Sequence, residues 1–152
     1  MFYAIDRFDS SFDLRKDFES FDYIISNRYV SANMIHQTGK IADEKDANEF
    51  LDWLYDLEYN IFWIPKPDKV IFLNVTPEVS QKLVLKKEQR EYLKDGKKMD
   101  LHEEDLHHLQ NAWEKAMKVV DMYEDWVKID CIENGDILPI EVITKKILSE
   151  IL

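Results

Sequence analysis

The feature that most constrains the fold is the short run at residues 70–75, which is apolar except for Asn74. A Pro-Lys-Pro-Asp sequence at 65–68 precedes the run and stops any helix, because proline lacks an amide proton and restricts the residue before it. Thr76 and Pro77 follow as the cap and the first residue of a new helix. This pattern predicts a parallel strand that is covered on both faces.

Two other short apolar runs, 22–26 and 127–132, also predict strands, and helical patterns lie between the three. The predicted helices cover 1–20 (with a break near 9–11), 29–39, 44–62, 77–87, 103–124 and 139–152. In the helix over 44–62 we expect the acids to lie opposite the apolar face: Glu49, Asp52, Asp56 and Glu58. Strands that alternate with helices predict one α/β domain over 1–152, with a parallel sheet flanked by helices.

Composition excludes several classes of protein. The 152 residues carry a net charge of −11, which disfavours a general binder of nucleic acid or anionic membranes. The single cysteine excludes an internal disulfide and favours a reducing compartment, and no apolar run approaches the length of a membrane span. Residues 82–98 nevertheless hold seven Lys/Arg against three acids, so they predict either a site for a small anion or a solvated helix end.

Ligands of parallel sheets bind beyond the carboxyl ends of the strands, so the residues that follow the predicted strands matter most: 27–29, 76–78 and 133–135. Three groups of residues are candidates for ligand binding. Arg28 follows the predicted strand 22–26 and suits a phosphate group; the alternative is a structural ion pair. The polar side chains on the next helix could bind a base edge and a sugar, or form an exposed polar face: Tyr29, Asn33, His36 and Gln37. Tyr3 and Arg7 share a helix face and suit a planar heterocycle, although a core tyrosine and a surface arginine are the common alternative.

A metal site is not expected at the histidines. His102 and His107 are five residues apart and therefore do not converge on one face of a helix.

The order of several motifs resembles that of thymidylate kinases. The motifs are Ala-Ile-Asp-Arg at 4–7, Ser-Asn-Arg-Tyr at 26–29 with the Ser…Asn…His-Gln helix to residue 37, Pro-Lys-Pro-Asp at 65–68, Thr-Pro-Glu at 76–78 and Asp-Leu-His-Glu at 100–103. This resemblance runs through essentially the whole chain. It implies the fold of a P-loop nucleoside monophosphate kinase, with ATP and Mg²⁺ as cofactors, a cytoplasmic location and a homodimer.

The resemblance also implies a role for each candidate residue. Tyr3 would stack on thymine, Arg7 would reach the base, and Arg28 would hold the phosphate of dTMP beside Tyr29. Asn33 would read the thymine edge with Gln37 one turn on, and His36 would lie beside the deoxyribose. The segment 86–102 is similar to a lid over ATP, with Lys87 and Arg90 as its catalytic cations. The loop at Glu133, Asn134 and Gly135 is similar to the one that contacts adenine.

Two departures from the family pattern change the expectation. The first strand and the Gly-x-x-x-x-Gly-Lys-Ser/Thr loop do not occur in this sequence, and Asn27 stands where the family has Asp. In the family, that strand lies between those predicted at 22–26 and 70–75. We therefore expect residues 1–152 to lack kinase activity, the missing portion belonging to a longer protein or to another chain. The alternatives are a catalytically inactive nucleotide-binding or interaction remnant of the family and a kinase for another deoxynucleotide.

Overall fold

The computed structural model describes residues 2–91 and 104–152; the side chains of 85–91, 104, 105, 107 and 108 lie outside this description. The described chain divides into two compact units, Met1–Asp68 and Lys69–Leu152. The elements are α1 (Phe2–Asp17), α2 (Val30–Thr38), α3 (Glu44–Tyr55), a π-helix (Asp56–Ile61), β1 (Val70–Asn74), α4 (Pro77–Glu91), α5 (Glu104–Met122), β2 (Trp126–Asp130), β3 (Ile132–Glu133), β4 (Asp136–Ile137) and α6 (Ile140–Ile151).

Helix α1 runs without interruption, so the break predicted near residues 9–11 is wrong. The hydroxyl of Ser10 donates to the carbonyl of Asp6 at 2.9 Å, and that of Ser11 donates to the carbonyl of Phe8 at 2.7 Å. Serine hydroxyls that bond back to the preceding turn fit inside a helix instead of capping a new one. Ser11 is in addition fully buried, and its oxygen accepts a hydrogen bond from Arg15.

The strand predicted at 22–26 is not formed, and this prediction is wrong. The backbone there is irregular. Tyr23 and Ile25 are 63% and 87% exposed, and Ile24 between them is half-buried. A strand exists only where a second strand satisfies its backbone groups, and in residues 2–91 and 104–152 no strand pairs with this segment. The apolar pattern therefore identified a candidate strand without a partner.

The helices after this segment lie close to their predicted positions. Helix α2 ends before Gly39, which has a helical φ of −54° and therefore does not use the left-handed conformation common at helix ends. Helix α3 begins after Asp43, whose carboxylate accepts a hydrogen bond from the amide of Asp46 at 3.0 Å. The predicted helix over 44–62 continues from α3 into the π-helix.

The second unit contains a parallel two-stranded sheet of β1 and β2, in register from Val70 opposite Trp126 to Asn74 opposite Asp130. The strand predicted at 127–132 is divided between β2 and the short β3, which forms an antiparallel hairpin with β4. The mixed α/β class and the parallel pairing are thus confirmed. None of the described helices is long and apolar enough to cross a membrane.

Candidate functional site

An ion pair between Arg7 and Glu58 is the centre of the candidate site, and both residues belong to the first unit. Arg7 lies on α1 and Glu58 on the π-helix. Arg7 Nε donates to Glu58 Oε2 at 2.6 Å, and Arg7 Nη2 donates to Glu58 Oε1, so both carboxylate oxygens accept from one guanidinium. The Glu58 side chain has no exposed surface, and that of Arg7 is 15% exposed. Two parallel charge-assisted hydrogen bonds in a buried setting fix the orientation of both groups.

The π-helix holds Glu58 at this buried position. Two backbone hydrogen bonds close the end of the π-helix. The amide of Phe62 donates to the carbonyl of Leu57 at 2.8 Å, and the amide of Ile64 donates to the carbonyl of Glu58 at 3.1 Å. π-Helical turns are rare and often accompany functional sites. The prediction that Glu58 faces away from the apolar side is wrong.

Tyr29 lies beside the ion pair. Its hydroxyl donates to the carbonyl of Pro65 at 3.0 Å. Burial of the side chain and, second, the negative charge of Glu58 raise the pKa of the Tyr29 hydroxyl, while the positive charges of Arg7 and Arg15 lower it. The raised pKa favours the neutral hydroxyl, and the hydrogen bond to Pro65 holds Tyr29 at the start of α2.

Arg28 precedes Tyr29 and has an unusual backbone conformation. Its φ of 66° lies in the left-handed region, which is costly for a residue with a β-carbon. The side chain is exposed, and among the described residues it makes no hydrogen bond and no ion pair. Strained backbone at a non-glycine residue is typical of functional sites. The neighbouring Asn27 is also exposed.

Tyr3 lies one helical turn before Arg7 on α1, as the sequence predicts. Tyr3 is 66% exposed and is therefore not the core tyrosine of the alternative interpretation. The ring is free to take part in stacking, whereas Arg7 is held by Glu58. The structure thus gives this face of α1 an exposed ring and a fixed cation.

The predicted polar residues of α2 divide into two groups. Val30, Met34 and Thr38 form the buried stripe of the helix. Asn33 and Gln37, four residues apart, are half-buried at the border of that stripe, and His36 is exposed. Gln37 Oε1 accepts a long hydrogen bond of 3.4 Å from Lys40. Asn33 and Gln37 therefore share one side of α2, as a common ligand would require, whereas His36 lies on the exposed face.

The predicted adenine loop is a tight turn in the second unit. Asn134 and Gly135 have φ values of 52° and 82° and connect β3 to β4. Asn-Gly is the preferred pair in two-residue hairpin turns, because both positions need positive φ. Glu133, Asn134 and Gly135 are all exposed. The turn explains Asn134 and Gly135 without a ligand.

A polar cluster that sequence reasoning did not identify lies at the carboxyl ends of β1 and β2. Asn74 Nδ2 donates to Asp130 Oδ1 at 2.7 Å, and Trp113 Nε1 donates to Asn74 Oδ1 at 2.8 Å. Lys146 Nζ donates to the carbonyl of Asp130 at 2.8 Å. These bonds tie α5 and α6 to the edge of the sheet where ligands of parallel sheets bind.

The predicted lid cannot be compared with the structure. Lys87 and Arg90 belong to α4, but their side chains lie outside the described part, as do residues 92–102 of the predicted lid. The proposed roles of Lys87 and Arg90 therefore stay predictions. So does the absence of a metal at His102 and His107.

No group of three or more His, Cys, Asp or Glu residues within 2–91 and 104–152 could hold a metal ion. Asn27 offers a neutral amide oxygen where a carboxylate would attract a divalent cation more strongly.

Glu58 is the functional candidate that the sequence interpretation missed, although a signal was present. Glu58 follows Leu51 by seven residues and Leu54 by four, so helical spacing places it on the face that Leu51 and Leu54 bury. An acid at such a position needs a cation nearby. Arg7 on α1 meets that need.

No protein-family model and no curated protein match this chain.

Proposed function

We propose that the chain is part of a thymidylate kinase-like enzyme that, in its complete form, transfers the terminal phosphoryl group of ATP to dTMP. The product would be dTDP, a precursor in dTTP biosynthesis. The proposal rests on the order of the motifs in the sequence. The structural observation that supports it most is the exposed guanidinium of Arg28, which lies at a left-handed position and has no ion-pair partner among the described residues.

The excess of acids in the chain makes the lack of an ion pair at Arg28 significant. The chain carries 31 acids against 20 Lys and Arg, so an exposed arginine has many possible ion-pair partners. Among the described residues Arg28 pairs with none of them, which disfavours the alternative of a structural ion pair. A planar guanidinium that is not engaged suits the phosphate of a nucleoside monophosphate, because it offers several donors in one plane.

The other candidates would surround the rest of the nucleotide. Tyr3 supplies an exposed ring for stacking on thymine, and Arg7 supplies a fixed donor for a base carbonyl. Asn33 and Gln37 share one side of α2 and would bind the base edge, with His36 toward the sugar. Phosphoryl transfer needs positioning and cations more than covalent help from the protein, and these groups are of the types it needs.

The ATP side of the reaction is proposed for the complete protein only. ATP and Mg²⁺ would bind with the help of the lid cations Lys87 and Arg90 and of the loop at 133–135. The glycine-rich phosphate loop is not part of residues 1–152. We therefore expect these residues alone to show no dTMP-dependent formation of ADP, and we expect the complete enzyme to be a cytoplasmic homodimer.

Calorimetric titration of residues 1–152 with dTMP and with thymidine tests the proposal. We expect dTMP to bind, and Arg28→Ala to weaken dTMP binding about tenfold or more, because an arginine–phosphate contact is a strong hydrogen-bonded ion pair. Thymidine lacks the phosphate, so its binding should be unchanged in this variant. The matched control is Lys45→Ala, which removes an exposed cation from α3. No binding of dTMP, or equal loss in both variants, would contradict the proposal.

A catalytically inactive member of the same family is the second candidate, and Asn27 favours it. A neutral side chain at this position would weaken the handling of metal-bound phosphates. The two candidates differ in the turnover of the complete protein. Formation of dTDP from ATP and dTMP supports an active kinase, whereas binding of dTMP without turnover supports the second candidate.

A further inference from the structure

The guanidinium of Arg7 has two edges that can each donate two parallel hydrogen bonds. The side edge consists of Nε and Nη2, and the end edge consists of Nη1 and Nη2. Glu58 occupies the side edge, since its two oxygens accept from Nε and Nη2. The end edge therefore keeps its parallel pair of N–H groups.

The remaining donors of Arg7 have no partner among the residues that the structure describes. In residues 2–91 and 104–152, Nη1 makes no hydrogen bond, and Glu58 is the partner of both Nε and Nη2. The side chain keeps 15% of its surface exposed. Arg7 thus combines a fixed orientation with three N–H groups that are available to a ligand.

The fixed orientation comes from Glu58. Its side chain has no exposed surface, and its own backbone carbonyl is held by the amide of Ile64. A buried carboxylate cannot follow a mobile arginine, so it fixes the plane of the guanidinium. A donor that is already fixed loses less conformational entropy on binding than a free arginine does.

We infer that Glu58 is a positioning residue, which turns the end edge of Arg7 toward a carbonyl oxygen of the bound pyrimidine base. This inference rests on the proposed function, because it takes dTMP as the ligand. A carbonyl oxygen has two lone pairs and can accept from the parallel N–H groups. Glu58 touches Arg7 and acts through it.

Calorimetric titrations with dTMP and with deoxyribose 5-phosphate test this role, because the second ligand lacks the base. We expect Glu58→Gln to weaken dTMP binding about tenfold, since one well-placed hydrogen bond to a charged donor has this effect on an equilibrium constant. Binding of deoxyribose 5-phosphate should change less than twofold. The matched control is Glu49→Gln, which neutralises an exposed acid of α3 and should leave both affinities unchanged.

Two further variants keep the test valid if Glu58→Gln does not fold. Glu58→Asp keeps the charge but is one methylene shorter, so its carboxylate cannot reach Nε and Nη2 equally well. Arg7→Lys keeps the charge but removes both edges. Each should lose affinity for dTMP only, and the double variant should lose no more than Arg7→Lys alone.

The outcomes separate the inference from the proposed function. If the unmodified chain does not bind dTMP, the proposed function fails. If it binds dTMP but the folded Glu58 variants bind equally well, or weaken both ligands alike, Glu58 has a structural role only and the inference is overturned.

Discussion

Breaking the Arg7–Glu58 pair should be among the most destabilising single changes in the first unit. Glu58→Gln removes the negative charge but keeps the shape and one acceptor oxygen. Loss of one partner from a buried ion pair costs about 3–5 kcal/mol, because the other charge stays buried without compensation. Arg7 keeps 15% of its side chain exposed, and water can therefore reach part of the guanidinium. We accordingly expect Glu58→Gln to lower the free energy of unfolding by an amount near the lower limit of this range, about 3 kcal/mol.

Removal of the arginine should lower the free energy of unfolding more than removal of the acid. Arg7→Met leaves the carboxylate of Glu58 without a cation at a position with no exposed surface. The double variant removes both charges, so it should be more stable than the sum of the two losses predicts. We expect a coupling energy of about 2 kcal/mol, within the range for residues in direct contact.

Urea unfolding followed by circular dichroism measures the four free energies of unfolding. The matched control is the pair Lys45–Glu49 on α3, in which the atoms are 3.5 Å apart and the side chains are 83% and 66% exposed. An exposed pair of this kind contributes about 0.5 kcal/mol or less. If the coupling energy of Arg7 and Glu58 is no larger than that of Lys45 and Glu49, the reasoning from burial is wrong.

Two other perturbations test separate parts of the fold. Gly135→Ala should lower the free energy of unfolding by about 1 kcal/mol in urea titrations, because its φ is 82°. The new β-carbon would meet no atom within 4 Å, so the cost is backbone strain alone. An unchanged free energy of unfolding would contradict this. Tyr29→Phe should make the melting temperature fall less steeply as pH rises above about 10. The pKa of Tyr29 is raised in the folded state, so the neutral hydroxyl contributes to the free energy of unfolding. This contribution is complete below the pKa that Tyr29 has in the unfolded chain, and it is lost as pH rises through the pKa of Tyr29 in the folded protein. The control is Tyr23→Phe, which changes an exposed ring, and equal slopes in both variants would count against the assignment.

Local patterns in the sequence predicted the helices well because capping residues and spacing are local properties. The start of α3 after Asp43 and the start of α4 at Pro77 follow from side chains that act within one turn. The Asn134-Gly135 turn is local in the same sense. The uninterrupted helix α1 was missed because Ser10 and Ser11 are compatible with both a cap and a helix interior. Only the hydrogen bonds to Asp6 and Phe8 decide between the two.

The candidate site was predicted in part, because the sequence shows cations more clearly than it shows their partners. Arg28 and Tyr3 have the exposed side chains that a ligand site needs. Arg7 was also identified, but not its bond to Glu58, which lies 51 residues later. The helical spacing of Glu58 from Leu51 and Leu54 would have placed it on the buried face. A buried acid then predicts a cation, without indicating which one.

The two apolar runs at 22–26 and 70–75 show why a pattern of side chains does not determine a strand. Both runs are short and rich in β-branched and aromatic residues, but only the second forms a strand. Residues Val70–Asn74 pair with Trp126–Asp130, which lie 56 positions later in the chain. The stability of that pairing comes from backbone hydrogen bonds between the strands and from contacts between their side chains. The sequence of one strand does not indicate which segment is its partner. Apolar spacing therefore predicts which segments could form buried strands. Whether such a segment becomes a strand depends on whether a second strand is available to pair with it.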